Sequence, residues 1–340
     1  MAHYNWGIIG TGNISHKFAQ GLRDARGANL CCVASRSKQK AKTFAELHRI
    51  TRFYGSYEEL ANDPSVHIVY IGTPHSLHCD NTLLCLKHKK AVLCEKPFAL
   101  TTEQAKRMII SARKNNTFLM EALWTNFLPS IQKVKEILSA KVVGEPRALK
   151  ADFGIFRPFE KDHRYFIPEL GGGSIFEIGI YPIFLSLLLF GFPDQFSTHS
   201  VKSPTGTDLT TGIFLSWKSG QFAQITSSFS VELDTEAVIH CTKGKITLHK
   251  KFHMPTKLSV TENDKTREIP LTWKGNGYNY EAEEVMRALS NNQIESPSLT
   301  HEFSLTLMYL LETIAKASAT PQPIVKPTMG IISCSRSLAP

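Results

Sequence analysis

The fold of this 340-residue chain is decided by one stretch near its start, YNWGIIGTGNIS at residues 4–15. Its first half is a short apolar run of the kind that forms a buried β-strand. The run ends in a glycine motif, Gly10-Thr11-Gly12-Asn13-Ile14-Ser15, with a small residue where a third glycine usually stands. Gly10 permits a tight turn, and Gly12 leaves room for a pyrophosphate at the start of the next helix. A glycine-rich connecting turn is the simpler alternative, but the position after the first strand favours dinucleotide binding.

The first third of the sequence alternates short apolar runs with amphipathic stretches. Strands are predicted at 4–9, 30–34, 68–72, 91–94 and 118–120, and helices at 13–25, 37–48, 77–87 and 101–115. Capping boxes at 56–59 and 101–104 mark two of the helix starts. This alternation predicts βαβ units and an α/β Rossmann domain at 1–122, with a doubly wound parallel sheet covered on both faces.

The pattern changes after residue 122. Helices are predicted at 131–140, 174–190, 280–289 and 300–317, and strands at 211–217 and 223–233. The second of these strands alternates apolar and polar residues, which is typical of a half-exposed antiparallel sheet. The sequence therefore predicts an α+β domain at 123–318, followed by a loosely ordered tail at 319–340.

The charge of the chain is unevenly distributed. The net charge is +9, and residues 1–122 hold 17 Lys and Arg against 9 Asp and Glu. This asymmetry suggests an anionic ligand in the first domain, although solvated surface lysines give the same count. A pI of about 9.1 also raises nucleic-acid binding. No basic helix or aromatic-interleaved motif supports a nucleic-acid partner, so we expect none.

Composition also limits the location of the protein. No apolar run reaches the roughly 20 residues that a bilayer requires, so we expect no membrane association and interpret the most apolar run, at 178–192, as a buried helix. The start of the chain has no pattern of a signal peptide. Seven cysteines, an odd number without a CxxC pair, favour reduced thiols and a cytoplasmic protein.

The end of the second predicted strand selects the dinucleotide. An NAD-binding domain usually places Asp or Glu there, about 20 residues after the glycine motif. This chain has Ser35, Arg36 and Lys40 instead, with no acidic residue. Arg36 and Lys40 would accept a 2′-phosphate, and Ser35 would donate a hydrogen bond to it. Surface charges are the alternative, but cations at a helix start oppose its dipole unless an anion compensates them. The sequence predicts NADP.

A lysine follows the predicted strand at 91–94, within Glu95-Lys96-Pro97. At the carboxyl end of a parallel strand, side chains face the crevice in which ligands bind. Lys96 is therefore a candidate acid or base, or an anchor for a developing alkoxide. A surface lysine at the end of a strand is the alternative.

The order of four motifs resembles the glucose–fructose oxidoreductase/inositol dehydrogenase/MocA (Gfo/Idh/MocA) family. They are the glycine motif, Thr73-Pro74-His75-x-x-His78, Glu95-Lys96-Pro97, and the segment 171–181 that ends in Tyr181. The resemblance spans about residues 4–318 and implies a second domain with a large open, mainly antiparallel sheet. It also implies an NADP-dependent dehydrogenase acting on CH–OH or CH–CH donors. Within the family, the chain is most similar to members that act on trans-dihydrodiols or D-xylose. This similarity implies a cyclic diol or sugar substrate and a homodimer that forms through the open sheet.

The resemblance also assigns residues. Lys96 matches the catalytic lysine of the family, Tyr181 stands where many members carry histidine, and Glu177 stands where aspartate is usual. Asn126 occupies a position where arginine is common. The Lys96–Pro97 peptide is expected to be cis. Cofactor contacts are expected at Gly10, Thr11, Gly12, Asn13, Ile14, Ser35, Arg36, Lys40, Thr73, Pro74, His75, His78, Glu95 and Lys96.

The pairing of a lysine with a tyrosine predicts a mechanism. A phenol is a poor base because its pKa is about 10, and a nearby ammonium lowers that pKa. We expect Tyr181 to accept the hydroxyl proton while Lys96 holds the substrate oxygen, although the two roles could be exchanged. Aromatic residues and arginines near the motifs are candidates for the substrate pocket, with core packing and surface salt bridges as the alternatives. These candidates are Trp124, Phe153, Arg157, Arg164 and Tyr280.

Three other functions compete with this interpretation. A zinc dehydrogenase would require a second ligand cluster besides His75, His78 and Cys79, and the sequence has none, so we expect no metal. A non-catalytic NADP-binding sensor on the same fold would not need both Lys96 and Tyr181. A related sugar or polyol dehydrogenase with a different substrate stays open.

Overall fold

The computed structural model describes residues 3–317, and the tail predicted at 319–340 lies outside the described residues. The first sheet has six strands, which alternate with helices along the chain. The strands are β1 (Tyr4–Ile9), β2 (Ala28–Ala34), β3 (Arg52–Tyr54), β4 (Ile68–Ile71), β5 (Ala91–Glu95) and β6 (Leu119–Ala122). The helices are α1 (Asn13–Leu22), α2 (Lys38–His48), α3 (Tyr57–Asn62), α4 (His78–Lys87) and α5 (Thr102–Asn115).

The six strands are all parallel and lie in the order β3-β2-β1-β4-β5-β6. Alternate residues of β4 face opposite cores, with Tyr70 in one and Val69 in the other, so both faces of the sheet are covered. The strand order reverses between β1 and β4, which opens a crevice at the carboxyl ends of the strands. The predicted Rossmann architecture is confirmed.

The two predicted capping boxes form. Ser56 Oγ accepts a hydrogen bond from the backbone N–H of Glu59, and Thr101 Oγ1 accepts one from that of Gln104, both at 3.2 Å. Each bond satisfies a backbone donor that would otherwise lack a partner in the first turn of a helix. Helix α5 starts at Thr102, directly after its cap residue Thr101, and connects β5 to β6.

The second sheet has eight strands in the order β14-β13-β12-β11-β7-β10-β9-β8. Its neighbouring strands are antiparallel except for the parallel pair of β7 and β10, so the expected open, mainly antiparallel sheet is confirmed. The strands are β7 (Pro146–Gly154), β8 (Gln195–Lys202), β9 (Asp208–Ser216), β10 (Phe222–Ser228), β11 (Ala237–Cys241), β12 (Gly244–Leu248), β13 (Leu258–Glu262) and β14 (Lys265–Ile269). The helices are α6 (Pro129–Ser139), α7 (Ile180–Phe190), α8 (Tyr278–Ser290) and α9 (His301–Ala317).

Strand β10 is shorter than the alternating pattern at 223–233 predicts. The strand ends at Ser228, whose side-chain oxygen accepts the backbone N–H of Ser230 at 3.0 Å and turns the chain. Phe229 is buried after this turn, whereas Val231 is 49% exposed. The local hydrogen bond of a serine therefore interrupts a pattern that would otherwise continue as a strand.

One helical stretch, Pro168–Phe190, is long and apolar enough to cross a membrane by length and composition. The expectation that no segment reaches that length is therefore wrong, because the helical turns before α7 extend it to 23 residues. Of its most apolar window, 72% is buried inside the protein, where α7 contacts β7 and β10. A helix that is apolar on all sides is typical of a core position, and its burial here supports the predicted buried helix.

Candidate active site

Lys96 and Tyr181 come together although one follows strand β5 and the other lies in helix α7. Lys96 follows β5 directly, and its peptide bond to Pro97 is cis, as expected. Its Nζ atom donates a hydrogen bond to the main-chain oxygen of Glu177 at 2.8 Å. The same Nζ atom lies 5.3 Å from the centroid of the Tyr181 ring. Lys96 is half-buried and Tyr181 is buried, so their interaction takes place mostly out of contact with water.

Tyr181 is positioned by the glycine-rich turn that precedes α7. Gly173 has a φ of +113°, and a Cβ atom there would lie 2.2 Å from a carboxylate oxygen of Asp208. That close approach lets Asp208 Oδ2 accept hydrogen bonds from the backbone N–H of Ile175 at 2.8 Å and from Ser174 Oγ at 2.7 Å. A π-helical turn over Ile175–Gly179 follows, and such turns are frequent at functional sites.

Glu177 lies at the centre of a charged cluster. Arg164 donates two hydrogen bonds to its carboxylate, at 2.8 and 3.1 Å, and His75 Nε2 lies 3.5 Å from Oε2. Burial alone would raise the pKa of Glu177, but Lys96, His75 and Arg164 lower it well below its ordinary value. Glu177 is therefore ionised, with its carboxylate engaged by protein groups, and its catalytic role stays a prediction.

Lys96 and Tyr181 both keep their protons at neutral pH. Burial lowers the pKa of Lys96, but its interactions with Glu177, Tyr181 and Glu95 raise it above its ordinary value. Burial raises the pKa of Tyr181, and the opposing effect of Lys96 does not reverse this shift. The sequence predicted a lowered pKa for Tyr181, whereas the structure gives a raised one. The sequence does not show how deeply the fold buries the Tyr181 hydroxyl, and this burial is what raises its pKa.

Several aromatic side chains enclose the phenol of Tyr181, and we call them together the aromatic surround. Trp124 Nε1 donates a hydrogen bond to the Tyr181 oxygen at 3.4 Å, and the Trp124 ring stacks on Tyr278 at 4.2 Å. Phe153 and His253 flank the Tyr181 ring with centroid distances of 5.6 and 5.0 Å. Trp124 and Phe153 were predicted in this wall, whereas His253 and Tyr278 were not.

Tyr280 lies away from this site. It lines a separate surface cavity with Tyr4 and Arg26, and its hydroxyl accepts the backbone N–H of Lys274 at 2.7 Å. Two residues along an α-helix differ by about 200° in direction, so Tyr278 faces Trp124 while Tyr280 faces outward. The substrate contact expected of Tyr280 is therefore wrong, and Tyr278 holds the corresponding place.

A cleft with a volume of about 490 Å³ runs between the two domains. The glycine motif and residues 72–75 form one side, and Arg157 and the segment 163–165 form the other. Gly10 has a φ of +99°, and a Cβ atom there would lie 2.8 Å from the Gly72 oxygen. The buried end of the cleft contains Glu95, Lys96 and Glu177. The cleft thus joins the predicted nucleotide motif to Lys96, whose Nζ atom lies over the Tyr181 ring.

Two expected cofactor residues are almost fully buried, His78 behind the cleft surface and Glu95 at the buried end of the cleft. His78 is fully buried, with its two ring nitrogens 2.9 Å from the main-chain oxygens of Pro97 and Thr73. Its position ties the loop after β4 to the loop after β5, so we assign it a positioning role. Glu95 is 4% exposed and accepts a hydrogen bond from Tyr70 at 2.5 Å, and burial raises its pKa to about 7.

The residues after β2 lie at the protein surface. Arg36 and Lys40 are exposed, and Ser35 is buried, with its hydroxyl accepting the Ser37 backbone N–H at 3.4 Å. Within residues 3–317, no carboxylate lies within 4.0 Å of the charged atoms of Arg36 or Lys40. Across the same part of the chain, no group of three or more His, Cys, Asp or Glu side chains is arranged to hold a metal ion.

Comparison with known proteins identifies the family. Residues 4–123 match the NAD-binding Rossmann fold of the Gfo/Idh/MocA oxidoreductases, and residues 131–247 match the Gfo/Idh/MocA C-terminal domain. The chain belongs to the Gfo/Idh/MocA family. The expected family, fold and oxidoreductase class are confirmed.

Several members of this family are similar over nearly the whole chain. A trans-1,2-dihydrobenzene-1,2-diol dehydrogenase from Xenopus laevis is 36% identical over 305 residues, which cover 87% of this chain and 92% of the relative. The Homo sapiens protein of the same name is 35% identical over 331 residues, covering 94% and 98%.

Solved structures share the fold. An aldose–aldose oxidoreductase from Caulobacter crescentus, in complex with glycerol, has a TM-score of 0.85 and 21% identity over 93% of this chain and 97% of its own. A 3-ketoreductase from Actinomadura kijaniata, in complex with NADP and TDP-benzene, has a TM-score of 0.83 and 23% identity over 93% and 98%.

Proposed function

We propose that the protein is an NADP-dependent dehydrogenase that interconverts a secondary alcohol of a cyclic diol or sugar with its carbonyl form. The observation that carries this proposal is the contact between the Tyr181 ring and Lys96, which lines the buried end of the cleft. A hydroxyl or carbonyl oxygen placed between them meets an ammonium and a phenol, the two groups needed to hold it and exchange its proton.

The residues of the cleft fit a dinucleotide. A Cβ atom on Gly12 would have no neighbour closer than 3.9 Å, so open space lies beside the N-terminus of α1. The first turn of α1 contains no acidic residue, and no side chain caps it. Lys17 and Arg157 line the cleft, and neither makes a carboxylate ion pair within residues 3–317. A helix N-terminus and unpaired cations together form a site for a pyrophosphate.

The preference for NADP rests on Arg36 and Lys40. Both are exposed cations at the end of β2 without a carboxylate partner in the described chain, and α2 begins there. A 2′-phosphate would supply the missing negative charge through charge-assisted hydrogen bonds. An adenosine with a free 2′-hydroxyl would meet no acidic acceptor at this place.

The proton chemistry follows from the protonation states of the pair. When bound, the nicotinamide supplies the ring carbon that exchanges hydride with the substrate. During carbonyl reduction, the Tyr181 hydroxyl gives its proton to the substrate oxygen while the Lys96 ammonium stabilises the developing negative charge. During oxidation, a Tyr181 phenolate accepts the hydroxyl proton. Because burial raises the pKa of Tyr181, neutral pH favours the reducing direction and alkaline pH favours oxidation.

The aromatic surround supports a small cyclic substrate. Trp124, Phe153 and Tyr278 present flat apolar surfaces beside the reactive phenol, and such surfaces suit a carbon ring. The relatives named trans-1,2-dihydrobenzene-1,2-diol dehydrogenase support a cyclic diol, and the family resemblance adds D-xylose as a second candidate. A related sugar or polyol is the alternative substrate.

The test is an assay with a purified protein and two matched cofactors. NADPH and NADH are titrated by fluorescence, and NADP and NAD reduction is then followed with trans-cyclohexane-1,2-diol and D-xylose. The proposal expects tighter binding of NADPH and turnover of at least one of the two compounds. Tighter binding of NADH would reject the cofactor assignment. Binding without turnover would favour a non-catalytic sensor.

We also propose a homodimer that forms through the open face of the second sheet. Phe214 and Phe222 stack at 5.7 Å on this face and are 40% and 38% exposed, which is unusual for phenylalanine on a monomer surface. A monomeric mass in light scattering would reject the dimer.

Cytoplasmic location and domain boundaries at 122 and 318 stay predictions. The first is supported by free thiols at the six cysteines within residues 3–317.

A further inference from the structure

His253 lies on the segment between β12 and β13, which no sequence motif marks. Its ring contacts two members of the aromatic surround, with centroid distances of 5.0 Å to Tyr181 and 4.3 Å to Phe153. Its main-chain oxygen accepts a hydrogen bond from Thr125 Oγ1 at 2.9 Å. The neighbouring Phe252 is fully buried and anchors the segment in the core of the second domain. The imidazole is therefore held in place beside the catalytic phenol.

The Nδ1 atom of His253 is buried and has no hydrogen-bond partner among the described residues. A buried polar atom without a partner reduces stability, and it calls for a ligand or a water that completes it. The Tyr181 hydroxyl accepts a hydrogen bond from Trp124 and does not pair with this nitrogen. The unpaired nitrogen and the catalytic hydroxyl thus belong to rings in direct contact.

The charge state of His253 fits a contact with a hydroxyl group. Burial, together with the positive charges of Lys96, Lys251 and Lys17, lowers its pKa to about 3. A neutral imidazole has one nitrogen that donates and one that accepts, so it can pair with a hydroxyl in either direction. Two other rings of the aromatic surround are less suited to a hydrogen bond with a substrate hydroxyl. Phe153 has no polar atom, and the Trp124 N–H is already donated to Tyr181.

We infer that His253 is a substrate-positioning residue that hydrogen-bonds the hydroxyl next to the carbon undergoing oxidation or reduction. This inference rests on the proposed function and adds a specificity to it. Two polar groups on adjacent rings match two oxygens on adjacent carbons of a vicinal diol or a hydroxyketone. A monofunctional alcohol or ketone would use Tyr181 and Lys96 but would leave the His253 nitrogen unpaired.

The test compares two ketones that differ by one hydroxyl, 2-hydroxycyclohexanone and cyclohexanone, each reduced with NADPH at neutral pH. His253→Phe keeps an aromatic ring and removes the nitrogens. We expect its kcat/KM for 2-hydroxycyclohexanone to fall about tenfold, mainly through KM, while that for cyclohexanone stays within about twofold. His253→Asn retains a polar atom close to the position of Nδ1 and is expected to keep most of the preference.

Two controls accompany these variants. NADPH affinity, measured by fluorescence, is expected to be unchanged in each variant. His240→Phe, at an exposed position on β11, is expected to behave like the unmodified protein. If His253→Phe does not fold, His253→Leu replaces it as the apolar variant.

The outcomes separate this inference from the proposed function. Equal losses with both ketones, or no loss with 2-hydroxycyclohexanone, would overturn the role of His253 and leave the dehydrogenase assignment standing. Absence of turnover of any ketone or diol by the unmodified protein, despite NADPH binding, would overturn both.

Discussion

Two cationic regions differ in how their charges are balanced: the inner end, in the buried part of the cleft, and the outer end, at the exposed residues after β2. At the inner end, Arg164 pairs with the Glu177 carboxylate, whose charge also raises the pKa of Lys96, so the protein itself supplies the negative charge. At the outer end, Arg36 and Lys40 have no carboxylate partner within residues 3–317. Buried charges require partners within the fold, whereas exposed cations can remain unpaired in water. The inner end is therefore balanced within the protein, whereas the proposed 2′-phosphate would balance the charge of the outer end.

The largest expected effect lies at the inner end. Tyr181→Phe removes the proton donor and keeps the ring that contacts Phe153 and His253. We expect kcat to fall by about 10²–10⁴, the range typical of general acid–base catalysis, with NADPH affinity unchanged. Steady-state kinetics and fluorescence titration measure the two quantities. Tyr309→Phe, at a 50% exposed position, is the matched control. Near-normal turnover by a folded Tyr181→Phe protein would exclude the phenol from the reaction.

The second largest expected effect is a loss of stability when the ion pair between Arg164 and Glu177 is broken. Glu177→Gln leaves Lys96 and Arg164 without their counter-charge. Removal of one partner from a buried ion pair lowers the free energy of unfolding by about 3–5 kcal/mol, and the 39% exposure of Arg164 places our expectation near the lower value. Chemical denaturation measures this loss. The double variant Arg164→Met/Glu177→Gln is expected to recover part of the stability, and an equally unstable double variant would show that the pair is not the cause.

A pH-dependent effect comes from Glu121, which is 2% exposed behind the inner end. Burial raises its pKa to about 7 in the folded protein, whereas an unfolded glutamate titrates near 4.3. The protonated form therefore stabilises the fold at low pH, and this contribution is lost as pH rises from about 4.3 through 7. Glu121→Gln lacks the titration, so its stability relative to the unmodified protein should increase between pH 5 and 7.5 by about 2 kcal/mol.

Thermal or chemical unfolding of both proteins across this pH range measures the difference. The exposed Glu103→Gln serves as the control for the substitution itself. A stability difference between Glu121→Gln and the unmodified protein that is constant with pH would contradict the assigned protonation of Glu121.

The smallest expected effect lies at the outer end. Arg36→Ala removes an exposed cation without a carboxylate partner in the described chain, so stability should change by less than about 0.5 kcal/mol. The Kd for NADPH should rise about tenfold, because one charge-assisted hydrogen bond to the 2′-phosphate is lost, while that for NADH stays unchanged. Equal weakening of both cofactors would contradict the contrast between the inner end and the outer end.

Local signals explain which elements the sequence predicts well. The boundaries of β1 match the prediction residue for residue, because an apolar run there meets a glycine turn. The three residues of β3 are all half-buried and carry no such pattern. In β14, Lys265, Thr266, Arg267 and Glu268 are exposed, so pairing with β13 rather than local preference makes the strand.

The candidate site can likewise be predicted from the sequence only where local motifs mark its residues. Lys96 and Tyr181 lie next to motifs that fix their local backbone, and the family resemblance identifies them. His253 lies between two strands that the sequence does not reveal, and its relation to Tyr181 exists only after the second sheet forms. The raised pKa of Tyr181 has the same origin, since it depends on how many distant segments exclude water from the phenol.

The hydrogen bond from Lys96 to the main chain of Glu177 joins a loop of the first sheet to the helical turn above the second. Any hinge opening between the sheets lengthens this bond and separates the ammonium from the phenol at the same time. For the proposed enzyme, a conformation in which the two domains have separated would therefore lack the paired ammonium and phenol that proton exchange requires.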